Sequence, residues 1–145
     1  MPSVFDVAEG ILELLPENFT TTWKLQKLVY YAQAWHLVWD AEPLFNKPIH
    51  AWAHGPVCPE LYKRHRGKFN VSTVRGDAST LNESQREIVE IVVDHYGLLS
   101  GQQLRDQTHV EPPWQDARRG LSPRDRGESE ITHDAMVEYF GALSG

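Results

Sequence analysis

The sequence predicts a mainly α, compact multi-helix domain: a hydrophobic helix at the centre, shorter helices around it, and a small β-hairpin or short strand element. Three observations carry this. Apolar residues recur at helical spacing along most of the chain, one segment alternates as a strand would, and one stretch is apolar on nearly every side. That stretch is Trp23 to Trp39, WKLQKLVYYAQAWHLVW. Of the fifteen residues from Leu25 to Trp39, eleven are apolar or aromatic. Leu25, Leu28, Val29, Ala32, His36 and Trp39 follow one face, and Tyr30, Tyr31, Ala34, Trp35, Leu37 and Val38 cover most of the rest. A helix apolar nearly all round is buried in a core or crosses a bilayer. Lys24, Lys27, Gln33 and His36 interrupt this one, and it falls short of the roughly 20 apolar residues a bilayer demands. A central buried helix from Thr22 to about Asp40 follows.

The other elements have local signals. Ser3 is a good N-cap, and Val4, Val7, Ala8, Ile11, Leu12 and Leu15 make a first amphipathic helix that ends before Pro16. Leu44 to Ala53 is the one strand region expected, with Ile49, Ala51 and Ala53 alternating against His50 and Trp52. His54 to Val57 is read as a turn, and Pro59 suits the first turn of a helix reaching about Arg66. Gly67 to Thr80 is expected as a loop pinned by Phe69, Val71 and Val74. Asn82 and Gln85 open a helix whose buried face is Ile88, Val89, Ile91, Val92, Val93 and Tyr96, with Gly97 as its C′ residue. Ser100 and Gln103 form the next capping box, flanked by Leu99 and Leu104, and that helix ends near Thr108-His109. Pro112-Pro113-Trp114 starts a short turn. Arg118 to Glu130 carries seven charges in thirteen residues and is expected as a mobile surface loop. Thr132 caps a last helix with Met136, Val137, Tyr139, Phe140 and Leu143 on its apolar side.

Composition narrows the function. A chain of 145 residues is one domain, 1–145, by the usual prior. Cys58 stands alone, so there is no disulfide framework and no thiolate zinc site, and a reducing cytoplasm is the natural setting. The N-terminus carries Asp6 and Glu9 and no basic region, unlike a secretory signal. A net charge of -6 argues against general nucleic-acid binding and fits a partner with a basic surface. No membrane partner is expected.

No catalytic residue, metal ligand set or cofactor emerges. His50 and His54 are four apart, but Pro48 and Gly55-Pro56 work against a shared helical face, and no HExxH or CxxC spacing exists. Cys58 reads as a small buried hydrophobe. Lys24 and Lys27 lie in the first turns of the central helix, where the macrodipole disfavours positive charge by roughly some tenths of a kcal/mol. They either snorkel over apolar surface or face an acidic group, on a partner or elsewhere in the fold. Trp52 and Trp114 are each a core plug or a partner anchor, with core favoured.

Several stretches together resemble the Panacea domain, the SocA-like family of phage-associated proteins. They are Leu25-Gln26-Lys27-Leu28-Val29-Tyr30-Tyr31-Ala32-Gln33-Ala34-Trp35-His36, then Ala51-Trp52-Ala53-His54-Gly55-Pro56-Val57 with Tyr62, then Leu99-Ser100, then Thr108-His109 with Pro113-Trp114 and Ala117. The resemblance implies a mostly helical, non-enzymatic, cofactor-free antitoxin of a toxin–antitoxin system. Its partner would be a cognate protein toxin, neutralised by direct contact. In this family the toxins include translation-blocking, alarmone-synthetase-like enzymes. One relative instead acts as a proteolytic adaptor that delivers its toxin to a ClpXP protease, and that is the alternative carried here. A homo-oligomer or a heteromeric toxin complex both stay open. The expected contact residues are Lys24, Lys27, Tyr31, Trp52 and His54, with His109 and Trp114 as second choices. The alternative is that these motif residues form the skeleton of the fold, while other surfaces carry specificity.

Overall fold

The computed structural model describes residues 1–144. Seven helices and two small two-stranded antiparallel sheets make up its regular structure. Helix α1 (Val4–Leu14) starts at Ser3, whose hydroxyl accepts from the Asp6 amide while the Asp6 carboxylate accepts from the Ser3 amide. Strand β1 (Thr20–Thr21) leads into α2 (Thr22–Asp40), and Thr21 caps it through its side chain. The bounds of α2 are those the periodicity predicts. Thirteen of its nineteen residues are buried, and α1, α4 (Glu83–Tyr96), α5 (Gly101–His109) and α7 (His133–Ser144) pack around it.

A helix this enclosed must satisfy its polar side chains inside the protein. Gln33 does so by behaving like a peptide group. Its carbonyl accepts from the Leu44 amide at 2.7 Å and its amide donates to the Phe45 carbonyl at 2.9 Å. Gln26 repeats the device on Cys58, accepting from its amide at 2.9 Å and donating to its carbonyl at 3.3 Å. Two glutamines thus hold irregular backbone against the helix that sheet partners would otherwise have to hold. Tyr31 stacks on Tyr96 with 3.9 Å between centroids and donates to Glu111 at 3.1 Å. Burial raises the Glu111 carboxyl to about 7, and hydrogen bonds from Tyr31 and Gln107 only partly oppose it.

The strand content exceeds the expectation. Strand β2 (His50–Trp52) lies in the predicted segment, but Gly55–Val57, read as a turn, is strand β3. They pair as His50 with Val57, Ala51 with Pro56 and Trp52 with Gly55, leaving Ala53-His54 as a two-residue turn. Pro56 is tolerated because its position opposite Ala51 asks for no amide donor, and the Ala51 amide points the other way, to Ser129. A second ladder joins β1 to β4 (Asn70–Val71), within the stretch expected to be loop. Helix α3 (Pro59–His65) follows the hairpin as expected.

Arg118 overturns the reading of residues 118–130 as a mobile loop. Only 8% exposed, it follows α6 (Pro112–Ala117) and donates to the carbonyls of Ala51, Arg126, Ser122 and Asp125 at 2.7 to 3.1 Å. The segment then runs antiparallel along the free edge of β2, through Ala53 to Arg126, Ala51 to Ser129 and Ile131 to Ile49. A count of charges could not reveal that one of them is an internal staple.

Other expectations also need correction. Phe69, Trp39, Ile91, Val137 and Leu143 are exposed rather than buried: Phe69 stands in the bend before β4, Ile91 points away from the buried face of α4, and Trp39 and Leu143 sit in the last turns of their helices. Gly97 ends α4 in right-handed conformation, φ -65°, so it is not a left-handed C′ glycine. Its carbonyl instead accepts from Lys24 Nζ at 2.6 Å. That bond puts Lys24 at the negative end of α4, which explains a lysine at the positive end of α2. No helix among the described residues is long and apolar enough to cross a membrane.

Two outcomes are expected in urea denaturation. Arg118→Ala strands four carbonyls, and its cost is about 3 kcal/mol. For Glu111 the folded carboxyl is raised, so its contribution to stability is full below about 4.5 and is lost as pH rises through about 7. Glu111→Gln keeps an acceptor for Tyr31 and is therefore more stable than the parent at pH 8, by on the order of 1–3 kcal/mol. The difference disappears near pH 4.

Candidate functional site

Three elements converge beside the start of α2. Trp23 and Lys27, one helical turn apart, come from α2 itself. His54 comes from the tip of the β2–β3 hairpin, and Arg105 from α5. Together with Phe69 and Gln102 they line an open hollow of about 380 Å³. A larger hollow of about 480 Å³ lies between α1 and α4. There Glu9 is already committed, accepting from Thr73, Val74 and Gly76.

The floor of the smaller hollow is cationic. Lys27 is 1% exposed, and its Nζ makes no hydrogen bond or ion pair among the described residues. Its nearest aromatic contact is the Trp23 ring, with Nζ 5.7 Å from the centroid. Burial pushes its ammonium down to about 8, and the charge of Arg105 pushes the same way. Arg105 itself has no acidic partner among the described residues. Asp106, next to it on α5, accepts from Gln102 and does not line the hollow. So a protein of net charge -6 has gathered two unpaired cations in one concavity.

Gly55 allows this arrangement. Its φ of +130° lies outside the range that residues with a Cβ favour, and a Cβ there would come within 3.1 Å of Lys27 Cε. The GPV stretch and the LQKL stretch are therefore parts of one contact, with the lysine stem laid across the glycine.

The walls are aromatic. His54 is exposed and meets Trp23 edge-on with 5.2 Å between ring centroids. Trp23 and Phe69 are 36% and 70% exposed. Behind them runs a stacked aromatic layer, in which Trp52 Nε1 and His109 Nε2 are buried without hydrogen-bond partners. The His109 ring stacks on Trp114 at 3.9 Å, Trp114 donates to the Trp52 carbonyl at 2.8 Å, and the Arg126 guanidinium lies 3.8 Å over the Trp52 ring. Burial lowers the His109 imidazole, with the charges of Arg105 and Lys27 adding to the effect.

The expected contact residues divide on this geometry. Lys27 and His54 line the hollow, and Lys24 lies beside it on the α4 cap. Tyr31 and Trp52 are buried, and His109 and Trp114 are half-buried in the layer behind. Trp23, Phe69, Arg105 and Gln102 were not in the expectation. Trp23 was within reach of it, since its i,i+4 spacing puts it on the face of Lys27. Arg105 comes to Lys27 across more than seventy positions of chain, and no local pattern announces it. Cys58 is 1% exposed, and burial raises its thiol.

Comparison with known proteins bears on the same residues. The family model described as antitoxin SocA-like, Panacea domain, matches residues 25–115, well over half of the chain. That span includes Lys27, His54, Gly55, Arg105 and the His109–Trp114 pair. No curated protein and no solved structure matches. The chain belongs to the SocA-like antitoxin family, and residues 25–115 are its Panacea domain.

Proposed function

We propose that this protein neutralises a cognate toxin by direct contact, performs no reaction of its own, and acts in the cytoplasm. The face it uses is the mouth of the Lys27 hollow: Trp23, Lys24, His54, Phe69 and Arg105. The observation that carries this reading is the coincidence of exposed aromatics with unpaired cations at one place in an antitoxin-family domain. Exposed aromatic and arginine side chains around a concavity are the groups that dominate protein contacts. The other expected residues enter as support. Tyr31 and Trp52 hold the floor and the hairpin, while His109 and Trp114 brace the layer behind.

The acidic remainder of the surface suits a toxin that uses basic residues to hold RNA or nucleotides, and it would speed association. Delivery of the toxin to a ClpXP-type protease is the second reading, and toxin abundance separates the two.

The test is co-expression with the protein encoded beside it. Growth is rescued, toxin abundance stays constant, and rescue persists in a strain without the protease. A fall in toxin abundance, with rescue lost in that strain, would establish delivery instead. Trp23→Ala with Phe69→Ala weakens toxin binding at least tenfold in calorimetry while the melting temperature changes little. A double variant on α4 outside this hollow, Glu87→Ala with Glu90→Ala, leaves the affinity within about twofold. Equal effects from both pairs would remove this face from the interface.

A further inference from the structure

Lys27 is the least economical residue in the fold. An ammonium buried with no counter-ion costs stability, and a methionine of similar length would fill the same groove without that cost. Gly55 is shaped around the lysine stem, at 3.1 Å from a would-be Cβ to Cε and 3.4 Å to Nζ. The groups facing it from every neighbouring element supply no negative charge. They are Arg105, Thr108 and the His109 imidazole from α5, Gly55 and His54 from the hairpin, and Trp23 from α2. The Asp106 carboxylate, next to Arg105 in the chain, accepts from Gln102 at 2.9 Å and does not line the hollow.

The hollow is also too large for a bare inorganic anion. At about 380 Å³ it has room for on the order of ten waters, each taking about 30 Å³. A phosphate alone would leave the Trp23 and Phe69 walls wet. The matching ligand has an oxyanion at one end, for Lys27 and Arg105, and an apolar or flat body for the aromatic walls. An arginine beside a lysine suits a carboxylate, since the guanidinium offers a two-pronged donor and the ammonium a point charge.

We infer that Lys27 and Arg105 form a receptor for the carboxylate of an acidic side chain on the toxin, carried next to an apolar residue that lies against Trp23 and Phe69. The inference rests on the toxin-binding reading above and gives it a chemical key. Binding completes an ion pair that the free protein lacks, so the stability lost in leaving Lys27 unpaired is recovered only in the complex. The lysine thereby discriminates against surfaces that present no anion at this point.

The test uses the full chain and two kinds of ligand. The first kind is small: acetyl-phenylalanyl-glutamate amide, its glutamine counterpart, AMP and inorganic phosphate. Binding is followed by the NMR signals of the Lys27 ammonium and the Trp23 indole. The glutamate peptide shifts both signals and holds the ammonium protonated to higher pH. The glutamine peptide binds at least tenfold more weakly. Lys27→Met melts at a higher temperature than the parent, so its tenfold or greater loss of peptide binding is not unfolding. Arg105→Gln weakens the peptide in the same direction. Equal binding of the two peptides, no binding of either, or unchanged binding by Lys27→Met overturns the inference. Tighter binding of AMP than of the glutamate peptide also overturns it, in favour of a nucleotide.

The second ligand is the neighbouring toxin. If the parent binds it and Lys27→Met binds it equally well, the carboxylate key is wrong and the antitoxin reading stands. If the parent does not bind that toxin, the antitoxin reading fails, and the peptide titration alone decides whether the hollow receives a carboxylate.

Discussion

Enclosing α2 on nearly every side is the constraint from which the rest of the architecture follows. A helix so placed can keep polar side chains only where the surrounding chain comes to meet them. Gln33 brings in Leu44 and Phe45, Gln26 brings in Cys58, and Tyr31 brings in Glu111 at the start of α6. Each of these is a place where the chain leaves regular structure. The irregular connections are thus bonded to the central helix more firmly than their composition would indicate. Two groups on the same helix are exceptions: the buried Tyr30 hydroxyl has no hydrogen-bond partner, and to Lys27 the chain brings Arg105, another cation.

The helical frame was legible because it is written in local terms. Ser3, Asn82, Ser100 and Thr132 all cap the helices they were expected to cap, and the ends of α2 agree with its hydrophobic pattern. What stayed hidden depends on partners remote in sequence. Arg118 looks like one of several loop arginines until the four carbonyls around it are seen. Strand β3 contains Gly55 and Pro56, the residues that most strongly signal a turn. It is a strand because β2, α2 and α5 hold it in place. The site divides in the same manner. Lys27 and His54 stand out in the sequence, one as a misplaced charge and one in a tight turn. Arg105, which gives the hollow its second cation, is an ordinary residue on an ordinary helix.

Of the residues quoted from the family pattern, Tyr31 and Trp52 are buried and His109 and Trp114 are half-buried. The Thr108-His109 stretch packs against the hairpin, and Trp114 is bonded to Trp52, so the three characteristic segments form one joint. Trp23, His54 and Phe69 stand on this joint with exposed side chains and few bonds to the frame. Lys27, by contrast, is buried with its stem packed on Gly55.

The small sheet has one more consequence. One edge of the hairpin is taken by residues 126–131, anchored by Arg118, and the other is covered by helices and interrupted by Pro56. Neither border offers a run of open backbone donors and acceptors to an incoming chain. A protein that engages the hairpin therefore cannot lengthen the β2–β3 sheet. At this element it must recognise side chains, and affinity there is set by shape and charge rather than by generic main-chain pairing.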